Sequence, residues 1–147
     1  MAKQMAKVQK EEHRTRSELL REAWRHYFKS RYPLYTPTKA ERAAINKGRA
    51  EFKRGEYVSL ANFTMNWQLL VTKSAGKELK NLPGKDQLRV ENVLDALQRD
   101  AFSGDIIRLQ PSGWRRRIGN YRIFYDLLLE DHLIVVTAIK RRTSTTY

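Results

Sequence analysis

Apolar residues recur at helical spacing along much of the first two thirds of the chain and give way to short strand-like runs in the last third. Ala2–Glu12 favours helix but offers a thin apolar face of Met5, Ala6 and Val8. Thr15-x-x-Glu18 has the form of a capping box, in which hydroxyl and carboxylate each satisfy an orphan backbone donor. It opens a segment with Leu19, Leu20, Ala23, Trp24, Tyr27 and Phe28 on one stripe. Tyr32–Pro37 predicts an extended connector, because each proline disfavours helical geometry in the residue before it. Thr38-x-x-Glu41 is a second capping box, and the helix it starts stops near Lys53-Arg54-Gly55. Leu69, Leu70 and Val71 suit a strand within Trp67–Thr72. Ser74 is placed to cap a brief helix ending at Pro83-Gly84. A longer helix follows, with Leu88, Val90, Val93, Leu94 and Leu97 at its spacing, and finishes near Phe102-Ser103-Gly104. Turn signals at Pro111-Ser112-Gly113, Gly119-Asn120 and Glu130-Asp131 divide the remainder into an antiparallel meander. Residues 65–147 thus predict an α+β arrangement of helices packed on one twisted sheet.

Composition narrows the function classes. At 147 residues with 41% hydrophobic content the chain can bury a core, as one ordinary domain or two small ones. Its net charge is +13, and the excess is spread: residues 1–64 carry 15 Lys+Arg against 7 Asp+Glu, and residues 65–147 carry 14 against 9. That balance favours nucleic acid or another anionic surface. With no cysteine and three scattered histidines, neither thiolate chemistry nor a metal site is expected, and no cofactor is implied. No stretch approaches a membrane span, so a cytoplasmic protein without a membrane partner is the plain expectation.

The stretch from Trp114 to Tyr147 holds the candidate chemistry. Trp114-Arg115-Arg116-Arg117-Ile118 runs through Gly119-Asn120 into Tyr121-Arg122-Ile123-Phe124-Tyr125, and Lys140-Arg141-Arg142 follows an apolar strand. Guanidinium groups beside aromatic rings suit a phosphate backbone with stacked bases. A run of arginines on a strand is also what an ordinary solvated face looks like. Trp67 and Trp114 suit packing better than base stacking, and His132 falls at a surface turn. Alternation puts Tyr121, Ile123 and Tyr125 on one face of their strand, with Arg122 and Phe124 on the other.

Residues 65–147 resemble the RelE-like toxins of bacterial toxin–antitoxin systems. The motifs are Lys73-Ser74-Ala75, Lys77-Glu78-Leu79 and Leu82-Pro83 at the start, Tyr121-Arg122 after the Gly-Asn turn, the Lys140-Arg141 pair, and Tyr147 six positions later. The resemblance implies a metal-independent endoribonuclease acting on mRNA in the ribosome, by attack of the 2′-hydroxyl on phosphorus to leave a cyclic phosphate. Carried over by position, Arg122, Arg141 and Tyr147 are the expected catalytic residues, and Arg115, Arg117 and Lys140 the expected RNA- and phosphate-binding ones. Arg117 departs from members with a lysine there, and an arginine cannot act as a base at neutral pH.

The first part resembles a different family. Arg14–Ala23 is similar to the second helix of ribbon-helix-helix antitoxins, and Arg49-Ala50-Glu51 through Leu60 to the tail with which such antitoxins wrap the toxin. Phe52, Tyr57, Val58 and Leu60 are then the expected antitoxin–toxin contacts. The sequence reads directly into the helix expected over Ala2–Glu12, so base reading by the DNA-reading first strand of that family is not expected. Two segments are therefore expected: an all-helical antitoxin-like segment over 1–64 and a RelE-like domain over 65–147. Ala61–Thr64 joins them and, extended, spans only about 13 Å. The segment would dock on its own toxin domain or on a neighbouring chain's, with a homodimer as a further candidate assembly. The other functions left open are a non-catalytic ParE-like inhibitor of DNA gyrase and a ribbon-helix-helix DNA-binding regulator. Residues 1–64 also read as a plain helical extension.

Overall fold

The computed structural model describes residues 6–7, 15–32, 34–60 and 67–142. The predicted helix over 2–12, the connector 61–64 and Tyr147 lie wholly or largely outside them. Two compact units emerge, Met1–Pro33 and Leu34–Tyr147. The second therefore takes in residues 34–60, which the sequence assigns by resemblance to the segment before the toxin-like domain.

The first unit holds helix α1 (Arg16–Arg31). It begins at the expected capping box: the Thr15 N–H donates to Glu18 Oε2 at 2.7 Å, and the Glu18 N–H to Thr15 Oγ1 at 3.3 Å. Its Leu20, Trp24 and Tyr27 are about half exposed.

The second unit is one seven-stranded sheet with helices on both faces. In chain order it runs β1 (Leu34–Tyr35), α2 (Lys39–Lys53), β2 (Tyr57–Leu60), β3 (Gln68–Thr72), α3 (Lys73–Lys80), α4 (Gly84–Arg99), β4 (Ile106–Leu109), β5 (Trp114–Ile118), β6 (Tyr121–Leu128) and β7 (Leu133–Arg141). The strand order is β1-β4-β5-β6-β7-β3-β2. The predicted meander is β4 to β7, with turns at the three expected places. Residues 34–60 do more than form a helix, because they supply a strand at each edge. β1 pairs parallel with β4, and β2 pairs antiparallel with β3. β3 also runs parallel to β7, so the sheet is mixed rather than wholly antiparallel.

Register fixes which side chains share a face. Arg115 pairs with Phe124 and Phe124 with Ala138, while Arg117 pairs with Arg122 and Arg122 with Lys140. These six residues lie on one face, and α2 covers it. Ile45 of α2 packs there with Leu109, Phe124 and Ala138. On the other face Tyr121 donates its hydroxyl to Asp86 of α4 at 2.9 Å, and Val90, Leu94 and Leu97 of α4 are fully buried. Leu88, placed on the same helical stripe by spacing, is instead 59% exposed. A β-bulge at Thr137 shifts the register between Phe124/Ala138 and Tyr125/Val136.

The start of α3 differs from expectation. Thr72 rather than Ser74 is its N-cap, and no side chain of its own caps it. Glu51, reaching over from α2, accepts the Ser74 N–H at 2.8 Å while only 3% exposed. An acceptor of negative charge at a helix N-terminus satisfies an orphan donor and opposes the positive end of the dipole. Glu51→Ala should therefore lower stability by about 1–2 kcal/mol in thermal unfolding, with Glu51→Gln recovering part of the loss. Equal melting of all three proteins would mean that the bond contributes nothing.

Candidate functional site

The α2-covered face carries an unusual row of charge. Arg117, Arg122 and Lys140 stand directly opposite one another across β5, β6 and β7. Like charges at paired positions destabilise a sheet; Arg117 is exposed to solvent, and the other two are held by acids from elsewhere. Glu41 of α2 accepts from Arg122 Nη1 through Oε1. Glu78 of α3 lies 3.4 Å from Lys140 Nζ.

Glu41 is the centre of this arrangement and is only 6% exposed. Its Oε2 closes the predicted capping box by accepting the Thr38 N–H at 3.0 Å, and also accepts the Tyr35 hydroxyl at 2.8 Å. Tyr35 in turn accepts from Arg122 Nη1 at 3.0 Å. Burial by itself would raise the Glu41 carboxyl. The bonds from Thr38, Tyr35 and Arg122, with the Arg122 charge, outweigh it and hold the group below its ordinary value. Tyr35 moves the other way: burial first, and then Glu41, keep its hydroxyl protonated to higher pH than usual.

Arg115 lies beside this cluster in the same face. It is 7% exposed, its guanidinium carbon sits 4.2 Å from the centre of the Tyr35 ring, and its Nε has no hydrogen-bond partner among the described residues. A second tie fastens the far half of α2: Arg49 makes a two-pronged ion pair with Asp126 of β6, both contacts 2.8 Å, and donates to the Ser112 carbonyl at 3.1 Å.

The expected catalytic and binding residues therefore separate. Arg115, Arg117, Arg122 and Lys140 come together on one face. Arg141 does not join them, since it pairs with Tyr121 and faces the opposite side, where it is exposed. Tyr147 lies outside the described residues. Of the expected antitoxin–toxin contacts, Phe52 is half-buried and its ring centre is 5.5 Å from that of Tyr57. Tyr57, Val58 and Leu60 are exposed at their side chains, and β2 is joined to β3 through its backbone ladder. The Leu60 carbonyl also accepts from Gln98 Nε2 at 2.7 Å. Tyr35, Glu41 and Arg49 are the site residues that sequence reasoning missed. Glu41 carried a signal, but its role as a cap already accounted for it. No group of acids and histidines arranged to hold a metal occurs among the described residues, and no helix among them is long and apolar enough to cross a membrane.

No protein-family model matches the chain. It is 30% identical to the protein named "Putative toxin RelE1" of Methanocaldococcus jannaschii over 83 residues, which cover 53% of this chain and 92% of that protein. Among solved structures it resembles a chain of the archaeal RelE–RelB complex from Pyrococcus horikoshii OT3, with a TM-score of 0.51, 25% identity, and coverage of 55% of this chain and 100% of the other. A chain of the RelBE2 toxin–antitoxin complex from Mycobacterium tuberculosis aligns at 22% identity with a TM-score of 0.47, over 52% of this chain and 99% of the other. With nearly the whole of a RelE toxin matched at that identity, and a mixed α/β sheet of the same kind, the chain belongs to the RelE-like toxin family.

Proposed function

We propose that the chain is an mRNA endoribonuclease acting on the ribosome, held inactive by the antitoxin-like residues 34–60 that precede its toxin domain. The observation that carries this reading is the ion pair of Arg122 with Glu41: the arginine at the family's catalytic position is held by an acid from the preceding segment. In the open enzyme the substrate's 2′-hydroxyl attacks the adjacent phosphorus, the 5′-oxygen leaves, and Arg122 stabilises the charge gathering on the phosphoryl oxygens. Arg117 and Lys140, in the same row, add positive charge along the RNA backbone. An arginine cannot act as a base at neutral pH, so Tyr147 is the candidate relay, taking the 2′-hydroxyl proton as it gives its own to the departing 5′-oxygen. The partner in the resting state is the antitoxin-like segment itself, and in the active state mRNA on the ribosome.

The test compares the full chain with residues 65–147 alone in a purified ribosome and mRNA cleavage assay. The shortened chain should cleave and the full chain should not. Arg122→Ala in the shortened chain should lower the rate by about 100-fold or more, the usual loss when one oxyanion donor is removed. A folded 65–147 fragment that leaves mRNA intact on ribosomes sinks the reading.

A further inference from the structure

We propose that Tyr35 and Glu41 together fill the site as a nucleotide mimic: the Tyr35 ring stands where an RNA base stacks on Arg115, and the Glu41 carboxylate where the adjoining phosphate meets Arg122. The inference rests on the reading of this face as an RNA site and adds to it a division of labour between its arginines.

The geometry distinguishes the two guanidinium groups. Arg122 behaves as an anion holder, since it donates to the Glu41 carboxylate and to the Tyr35 hydroxyl. Arg115 behaves as a platform. Its guanidinium lies 4.2 Å from the Tyr35 ring centre, against 5.5 Å for Arg122. Although Arg115 is only 7% exposed, its Nε is left without a hydrogen-bond partner among the described residues. A buried arginine normally saturates its donors. This one gives up a bond and presents its flat face to a ring. Guanidinium planes stack on nucleic-acid bases in the same manner. Stacking accepts any base, because every base has a π-face.

The two mimicking side chains are also linked in the right order. The Tyr35 hydroxyl donates to Glu41 at 2.8 Å, so a flat ring, a polar bridge and an anion follow one another, as base, ribose and phosphate do in RNA. Arg115 is then a base-positioning residue rather than a phosphate grip. The two roles separate on substitution with lysine, which keeps the charge and loses the plane.

The experiment uses the full chain carrying Tyr35→Ala with Glu41→Ala, its fold checked by circular dichroism. Calorimetry then measures binding of adenosine 5′-monophosphate and of ribose 5-phosphate. The nucleotide should bind at least tenfold more tightly than the sugar phosphate, and at least tenfold more tightly than it binds the unaltered chain. Adding Arg115→Lys should remove the preference for the nucleotide while leaving ribose 5-phosphate unchanged. Adding Arg122→Ala should weaken both ligands alike. Equal affinity for the two ligands, an Arg115→Lys loss shared equally by both, or no binding by the folded variant overturns the proposal. If the double variant does not fold, Tyr35→Val with Glu41→Gln is judged by the same criteria. Binding is read without ribosomes or cleavage, so failure here leaves the nuclease reading intact, and an inactive nuclease leaves this result intact.

Discussion

Replacing Gly48 with alanine is expected to dislodge α2 from the sheet, although the same change in an exposed helix would stabilise it by up to about 1 kcal/mol. An added Cβ would lie 2.0 Å from the Thr137 carbonyl oxygen and 2.7 Å from its carbonyl carbon. Both are backbone atoms, so no rotamer change relieves the overlap. Thr137 is also held in place, since its carbonyl accepts from Thr72 Oγ1 and its hydroxyl donates to the Phe124 carbonyl. The helix must lift, and Ile45 with it. The expected loss is about 2–4 kcal/mol, in the range for overpacking plus lost burial. Gly76 in α3 is the internal control, because its nearest neighbour for a new Cβ is a Val71 methyl carbon at 3.9 Å. Gly76→Ala should be neutral or mildly stabilising. Thermal unfolding measures both, and amide exchange localises the first to α2. A Gly48→Ala protein as stable as its parent, with α2 amides still protected, would show that the close approach does not hold the helix.

The second large effect is expected at the Glu41–Arg122 pair. Glu41→Ala removes the acceptor of three donors at once, the Thr38 N–H, the Tyr35 hydroxyl and Arg122. Fully buried pairs cost about 3–5 kcal/mol when one partner is lost. The Arg122 side chain is 22% exposed, so water relieves part of that, and about 2 kcal/mol is the better expectation. The same pair sets a response to acid. Because the Glu41 carboxyl is held below its ordinary value when folded, its contribution is fully present above the unfolded value of about 4.5 and is lost as pH falls through the folded value. Stability measured against pH should decline below about 4.5 in the parent protein, and by less in Glu41→Gln, whose amide does not titrate. Parallel profiles for the two would remove Glu41 as the source of the acid sensitivity.

The sequence carried the local punctuation well. Thr15/Glu18 and Thr38/Glu41 cap their helices as read, and the glycine turns separate the strands of the meander, because capping and turn geometry depend on residues only a few positions apart. The edge strands were not legible. Leu34–Tyr35 is two residues long, and Tyr57–Leu60 is exposed at all four side chains, so neither shows a periodicity. Pairing partners 9 to 74 residues away create them. The site was half legible. Arg122 and Lys140 share a face, but their neighbour Arg141 does not, and this parity depends on register rather than on motif order. Tyr35 looked like connector because its role arises from Arg115 and Arg122, both distant in sequence.

The attachment of residues 34–60 at both rims of the sheet has a kinetic consequence. β1 is two residues long and β2 is four, and β2 is continuous in the chain with the toxin domain. Opening from the β1 end leaves the released helix tethered, at an effective concentration on the order of millimolar that no dilution of the protein changes. On the proposed reading of these residues as an antitoxin, the tethered segment re-closes after every excursion, and the chain behaves as a gate with a fixed open fraction, set by contacts such as Gly48 on Thr137 rather than by the concentration of a separate partner.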